Sequence, residues 1–321
     1  MRAIFIKDAD LVTRRSRSSL FIHRGDGCFK EVNIRDIEAV VIIGSRIKVE
    51  SGVIALLSRN NIPLSIVSKL GVSILAAPVV TLYSESRRMQ YSLSDEEKVE
   101  IMTNILRAKI RGFINILKYH EKEVSGVNVD EEFMKSNLSR WEASISRRCW
   151  QAMLDLIPGD LLEELIRKYG FSGRRPRSRD PFNQSVSALY ALLYSIATRA
   201  LLASGLDPTY GLYHKTRYSV PLTYDYAEMY KPIAVHAVIK VLRKMNRLPK
   251  LDEDGYLSKE SLSSILKEFF SITKAKVRGA RITPHRAIYL NAFRLAARIR
   301  ANKSITYTYT YNPKKLLYSK N

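Results

Sequence analysis

Ser94-Asp95-Glu96-Glu97, with the apolar series Ile101, Ile105, Leu106, Ile110, Phe113 and Leu117 behind it, divides this chain into two parts of different texture. A serine followed three residues later by glutamate is a capping box. Hydroxyl and carboxylate each satisfy a backbone N–H that would otherwise be unpaired at the helix start. Apolar residues recurring at steps of three and four then lay one hydrophobic stripe along a long helix. On the N-terminal side the pattern is strands. Residues 3–7 are apolar and β-branched, and 19–23 lead through Arg24-Gly-Asp-Gly27 into 28–33, a hairpin signal. Residues 39–43 form a continuous Val/Ile-rich run suited to a buried strand, and 51–59 carry helical spacing that ends at Asn60-Asn61. Residues 64–68 and 72–76 flank Lys69-Leu-Gly71 as a second hairpin, stopped by Pro78.

On the C-terminal side every periodic segment is helical, at 132–156, 160–168, 184–204, 224–246, 259–271 and 284–302. Loops are expected at 121–130, 170–183 and 205–223. Thr283-Pro284 supplies an N-cap and a proline at the first helical position. The reading is an α+β protein, with a small β-rich domain over residues 1–80 and a larger all-α domain over 81–321. The β-rich part is the expected dimer contact, because exposed strand edges pair readily. The tail Thr306-Tyr-Thr-Tyr-Thr-Tyr311 alternates at strand period with no partner nearby, which leaves disorder or an edge strand added to another chain. Cys28 and Cys149 are far apart, and Cys149 beside Trp150 reads as a buried free thiol.

Lys and Arg outnumber Asp and Glu by 53 to 31 in 321 residues, a formal charge of +22, with 46% apolar residues. That balance suits a polyanionic partner and a folded core. No run of charge-free apolar sequence reaches the length needed to cross a bilayer, and residues 1–8 read as a strand rather than a leader, so no membrane role and a cytoplasmic location are expected. Two basic clusters stand out: Arg174, Arg175, Arg177 and Arg179 before Asp180, and nine Lys or Arg without an acid from Lys274 to Lys303, including Arg278, Arg281 and Arg286. Both suit phosphate-backbone contact, although a solvated basic face would look the same.

The chemistry centres on Gly205-Leu-Asp-Pro-Thr-Tyr-Gly-Leu-Tyr-His214 and Asp225-Tyr-Ala-Glu228-Met-Tyr-Lys231. An imidazole follows a Gly/Pro-punctuated loop, and two carboxylates at i, i+3 share one face of a helix, pointing outward as a clamp. Oxygen ligands with one histidine favour Mg²⁺ or Mn²⁺ over a thiolate zinc site. Taken singly the signals are weak. Glu142 reads as a surface acid pairing with Arg147 or Arg148, and Asp225 and Glu228 as first-turn acids. Asn183 reads as an N-cap and Tyr190 as core. His236 sits among Ile233, Ala234, Val235 and Val238 as a core histidine, His23 and His120 as surface positions, and His285 at a helix start facing phosphate or solvent.

Together the segments resemble the CRISPR-associated integrase family, the spacer-acquisition subunit. The resemblance is carried by Trp141-Glu142-Ala143, Asp180-Pro-Phe-Asn183, Tyr190-Ala-Leu-Leu-Tyr194, Gly205-Leu-Asp-Pro208, His214 and Leu222-Thr-Tyr-Asp225-Tyr-Ala-Glu228-Met-Tyr-Lys231-Pro232. These span residues 141–232 in the family's order, and the β-rich start with a helical body fits its plan. The resemblance implies that Glu142, His214 and Glu228 bind one divalent ion, with Asp225 in the same pocket and Lys231 beside it. It also implies a DNA endonuclease and integrase acting on double-stranded and branched DNA, a homodimer, and a small ferredoxin-like partner subunit. The chain departs from the family in having Glu228 where Asp is frequent, Ala143 where glycine is usual, and Cys149 before Trp150. Two other readings stay open: a structure-selective metal-dependent nuclease acting on branched DNA in repair, which would use the same ligands, and a non-enzymatic basic DNA-binding protein, which would show salt-sensitive binding with no dependence on Glu142, His214 or Glu228.

Overall fold

The computed structural model describes residues 2–7, 9–14, 16–25, 29–44, 46–68, 71–75, 84–122, 138–214, 219–280, 282–301 and 305–318. Cys28, the Asp26-Gly27 turn, Lys69-Leu70, Ala76, Pro78, residues 132–137, Arg281 and Lys303, all used in the expectations above, lie outside the described residues.

Two four-stranded sheets form the N-terminal lobe. The first has the order β1 (Arg2–Ile6), β5 (Ile37–Ile43), β7 (Leu64–Ser68), β8 (Gly71–Leu75), parallel except for β8. The second runs β4 (Phe29–Asn33), β3 (Ser19–His23), β2 (Leu11–Arg14), β6 (Lys48–Val49). β5 is buried at every position, as its Val/Ile-rich run predicts for a strand covered on both faces. From Ala39 onward its side chains alternate between two cores. Ala39, Val41 and Ile43 join the helical lobe, while Ile37, Val40 and Ile42 pack with α1 (Ser51–Arg59), the crossover helix between β5 and β7. β3–β4 and β7–β8 are antiparallel pairs, matching the hairpin signals. β2 and β6 are too short to show a period, and the sequence reading lacks them.

The helical lobe comprises α2 (Ser84–Tyr91), α3 (Asp95–Tyr119), α4 (Leu138–Leu154), α5 (Gly159–Tyr169), α6 (Pro181–Ala203), α7 (Pro221–Ala227), α8 (Lys231–Met245), α9 (Lys259–Lys274) and α10 (Pro284–Ala301), with a short pair β9 (Lys276–Val277) and β10 (Leu316–Leu317). The chain is thus α+β, strands first and helices after. α3 opens on the full capping box: Ser94 N–H donates to Glu97 at 2.9 Å, and Glu97 N–H donates to the Ser94 hydroxyl at 3.2 Å. α2 escapes the sequence reading because its residues are mostly polar.

α6 is the central helix and packs on α8, α10 and β5. It begins earlier than residue 184, because Asp180 caps it by accepting from Asn183 N–H at 2.8 Å and Pro181 takes the first position. Asn183 is therefore not the cap. By length and apolar composition α6 could cross a membrane, yet 78% of that apolar window is buried inside the protein. Here the apolar length serves a core rather than a bilayer.

The single helix expected over 224–246 is broken into α7, a 3₁₀ turn at Glu228–Tyr230, and α8. Pro232 has no N–H to continue the ladder from α7. The two lobes are pinned together by a hydrogen bond between the Ser65 and Ser195 hydroxyls and by Arg199 donating to the Ile37 carbonyl at 3.2 Å. Buried Glu38 adds to this, accepting from Tyr289 and lying 3.0 Å from His285 Nε2. His285 therefore serves the lobe contact.

The Tyr/Thr tail is neither disordered nor a free edge. Tyr307 and Tyr311 are buried, Asn104 donates to the Tyr307 hydroxyl at 3.1 Å, and Asn115 donates to the Tyr311 carbonyl at 2.8 Å. Tyr309 stacks on Tyr230, with ring centres 5.4 Å apart. The Tyr311 hydroxyl lies 2.7 Å from His236 Nδ1, and His236 in turn lies 3.3 Å from His120. His236 is thus the core histidine expected, whereas His120 is half-buried against it rather than at the open surface. Alternation in the tail reflects one side facing α3 and the 228–230 turn. Tyr311→Ala should cost about 3–5 kcal/mol, the usual range for an excised core aromatic, read as a lower urea midpoint with unchanged slope. A free tail would show no change.

Candidate active site

Glu142 lies on α4, Glu228 at the turn between α7 and α8, and Lys109 on α3. The Lys109 ammonium holds both acids, 2.7 Å from Glu142 Oε1 and 2.8 Å from Glu228 Oε2. Ser146, one turn along α4, also donates to Glu142 Oε1 at 2.7 Å. Lys231 pairs with the other oxygen of Glu228. Glu142 is thus not a surface acid paired with Arg147 or Arg148. Glu228 is 5% exposed. Burial alone would raise its pKa, but the Lys109 and Lys231 charges outweigh that and hold it at about 2. Burial works against the Lys109 charge too, yet the two carboxylates push its pKa above the ordinary lysine range.

Close approach makes this junction possible. A Cβ added at Gly112, one turn after Lys109, would lie 2.8 Å from Pro232 Cγ, so only glycine lets α3 pack against the start of α8.

Asp225 and Glu228 do not act as a pair on one helix face, and they do not point outward. Asp225 is fully buried and spends its oxygens on the 211–214 loop. Leu212 and Tyr213 N–H donate to Oδ2 at 2.6 and 3.0 Å, and His214 N–H donates to Oδ1 at 3.1 Å. His214 Nδ1 is 2.5 Å from the same Oδ1. An ionised carboxylate only accepts, so Nδ1 carries the proton and Nε2 presents the lone pair. Gly211 closes the loop, since a Cβ there would meet the His214 carbonyl at 2.5 Å and Pro221 Cβ at 2.7 Å.

Lys109, His214 and Lys231 line a cleft of 690 Å³ between the lobes. Val67, Ser68, Gly71 and Val72 of the first sheet form one wall, and Tyr190, Tyr194 and Trp150 another. Of the predicted arginines, Arg174, Arg177 and Arg179 reach this cleft. Arg174 donates to Asn183 at 2.8 Å and lies 5.4 Å from the centre of the Tyr190 ring, and Asn183 also accepts from Arg175 N–H at 3.0 Å. Asn183 therefore shapes the basic loop. Tyr190 is core and cleft wall at once: Lys231 lies 5.2 Å from its ring centre, and burial pushes its hydroxyl up to about 12. Arg175, Arg278 and Arg286 are exposed and do not line the cleft. Cys149 is a buried free thiol, pushed up to about 11 by burial.

Among the described residues no three His, Cys, Asp or Glu side chains are grouped closely enough to hold an ion as they stand. The donors nonetheless fit a hard divalent cation. Two carboxylates from separate elements converge on one positive charge, and a tautomer-fixed imidazole lines the same cleft. Lys109 is the residue that sequence reasoning missed. Its signal was a charge lying on the apolar stripe of α3, between Ile105 and Phe113.

Residues 4–270 match the family described as CRISPR associated protein Cas1. A CRISPR-associated endonuclease Cas1 from Hyperthermus butylicus is 36% identical over 166 residues, covering 50% of this chain and 47% of that protein, so the match spans about half of that relative. A second protein of that name, from Saccharolobus solfataricus, is 27% identical over 253 residues, covering 77% and 78% of the two chains. In fold the chain is similar to a casposase solved bound to integration product, with TM-score 0.75 at 20% identity and coverage of 96% and 93%. The matched region runs through both lobes and every residue of the Glu142–Lys109–Glu228 junction, and this chain belongs to the CRISPR-associated Cas1 family.

Proposed function

We propose that the chain is a divalent-metal-dependent DNA endonuclease and integrase that joins a DNA 3′-hydroxyl to a phosphodiester, inserting spacer DNA into a CRISPR array. One observation carries the reading: two carboxylates converge on a single cation beneath a basic cleft that also holds the oriented imidazole. Glu142, Glu228 and His214 Nε2 would hold Mg²⁺ or Mn²⁺. Such an ion, when bound, polarises a phosphoryl oxygen, lowers the nucleophile's pKa and steadies the leaving oxygen. The chain's own residues do the rest. Asp225 holds the imidazole and its loop in register, as a carboxylate behind a ligating histidine does. Arg174, Arg177, Arg179 and Lys231 carry positive charge around the cleft, where a strand's phosphates would lie.

In strand transfer the 3′-oxygen bonds to phosphorus as the bond from phosphorus to the departing 3′-oxygen breaks; the attacking hydroxyl gives up its proton and the departing oxygen takes one up, leaving as a new 3′-hydroxyl. The exchange conserves the number of phosphodiesters. A homodimer and a small ferredoxin-like partner belong to the same proposal on the strength of family membership, and the β-rich lobe, residues 1–80, is the proposed dimer contact because exposed strand edges pair readily.

Branched DNA with a free 3′-hydroxyl end, incubated with Mg²⁺, Mn²⁺ or EDTA, should yield a strand-transfer product with the metals alone. Glu142→Gln and His214→Ala should abolish it, with DNA affinity within about twofold of wild type. Joining that survives either substitution removes the site assignment, and cleavage without joining favours a structure-selective nuclease. Asp225→Asn and Gly211→Ala leave every proposed ligand in place yet disturb His214, so turnover should fall about 10- to 100-fold with weaker Mn²⁺ binding. Normal turnover in both would mean that loop geometry is irrelevant. Arg177→Ala should lower the slope of log affinity against log salt by about 1, whereas Arg286→Ala, outside the cleft, should leave it unchanged. Equal slopes for both variants would place the DNA elsewhere.

A further inference from the structure

Lys109 donates to Glu142 and forms an ion pair with Glu228, the two carboxylates assigned to the ion, yet an ammonium cannot itself be a ligand. Its side chain is 8% exposed, on the apolar stripe of α3, where a lysine needs strong compensation to remain charged. Its contacts to Glu142 Oε1 and Glu228 Oε2 are 2.7 and 2.8 Å. An ion bound to those same oxygens at about 2.1 Å could lie no further than about 5 Å from the lysine nitrogen. Two positive charges so close in a buried site repel strongly. The ammonium and the ion therefore cannot share these carboxylates comfortably. The cleft, which Lys109 lines beside Lys231 and His214, offers the flexible side chain somewhere to go.

We propose that Lys109 is an internal counter-ion that competes with the metal: in the metal-free protein it keeps Glu142 and Glu228 converged, and a divalent ion binds by displacing it towards the cleft. The inference rests on the metal assignment above and adds a regulator of affinity to it. A lysine that merely braced the carboxylates would have the opposite signature, since its removal would loosen the site and weaken metal binding.

Mn²⁺ titration of the full chain, followed by the spin-resonance signal of free Mn²⁺, separates the two. Lys109→Met should bind Mn²⁺ about tenfold more tightly than wild type. Its thermal midpoint should be lower without metal and should rise further on adding Mn²⁺. Equal or weaker binding by folded Lys109→Met overturns the proposal. Should that variant fail to fold, the wild type decides. Acetylation of Lys109 by a small N-hydroxysuccinimide ester, read by peptide mass, should rise severalfold with Mn²⁺ and show no rise in Glu142→Gln. Unchanged labelling with Mn²⁺ bound overturns it too. The two readings fail differently. Mn²⁺ binding that does not depend on Glu142 removes the metal assignment and this inference together, whereas Glu142-dependent binding indifferent to Lys109 removes only the inference.

Discussion

A carboxylate withdrawn from water must be neutralised or paired, and Glu228 is withdrawn almost completely. Two lysines resolve the conflict, one from the next turn of its own segment and one from α3. The second lysine brings Glu142 with it, so a single charge constraint draws α3, α4 and the start of α8 to one point. The contact between Gly112 and Pro232 is the steric counterpart, because the helices must touch at backbone distance for the lysine to reach. Breaking a buried pair of this kind by removing one partner commonly costs about 3–5 kcal/mol, which makes the junction structural as well as chemical.

The acids in the site divide the labour. Glu142 and Glu228 face a cation, while Asp225 turns inward and accepts from three backbone amides and an imidazole. That satisfies the loop's polar groups within the protein and fixes which ring nitrogen is protonated. The loop, the imidazole and the helix break at Pro232 are thus one unit. Glu228 opens the 3₁₀ turn that joins α7 to α8, and from there it reaches Lys109.

The cleft lies where the lobes meet, and both contribute to it. β5 sends alternate side chains to opposite cores, which seats the first sheet directly on α6. The end of β7 and the start of β8 then wall the cleft, with the Arg177 guanidinium close to Gly71. Asn183 and Asp180 brace that loop from the first turn of α6, so the position of the basic residues depends on where the helix starts. Much of the net charge of +22 lies elsewhere on the surface. What distinguishes Arg174, Arg177, Arg179 and Lys231 is that they line one cleft with Lys109 and His214.

Features written in neighbouring residues were legible before any fold was known. The capping box at Ser94 and Glu97, the Val/Ile-rich run of β5, the paired β7 and β8 and the Thr283-Pro284 start are each marked by residues close together in the chain, and so is the strands-then-helices order. The order and spacing of Glu142, His214, Asp225 and Glu228 were likewise visible as residues. Their partners in the fold were not. Lys109 is 33 residues from Glu142 and much further from Glu228, and nothing local marks them as partners. The tail looked free because its partners, Asn104, Asn115, Tyr230 and His236, are distant in sequence. Asp225 and Glu228 looked like one clamp because their spacing is visible in the sequence, whereas their partners, the 211–214 loop for Asp225 and Lys109 for Glu228, are not. By itself the sequence determined the long helices and the strongly apolar strands, whose caps and periodicity are written locally, while the short or polar elements α2, β2 and β6 escaped it. Only the tertiary structure decided which charges share a cavity, because that depends on burial, and burial is a property of the whole packed chain.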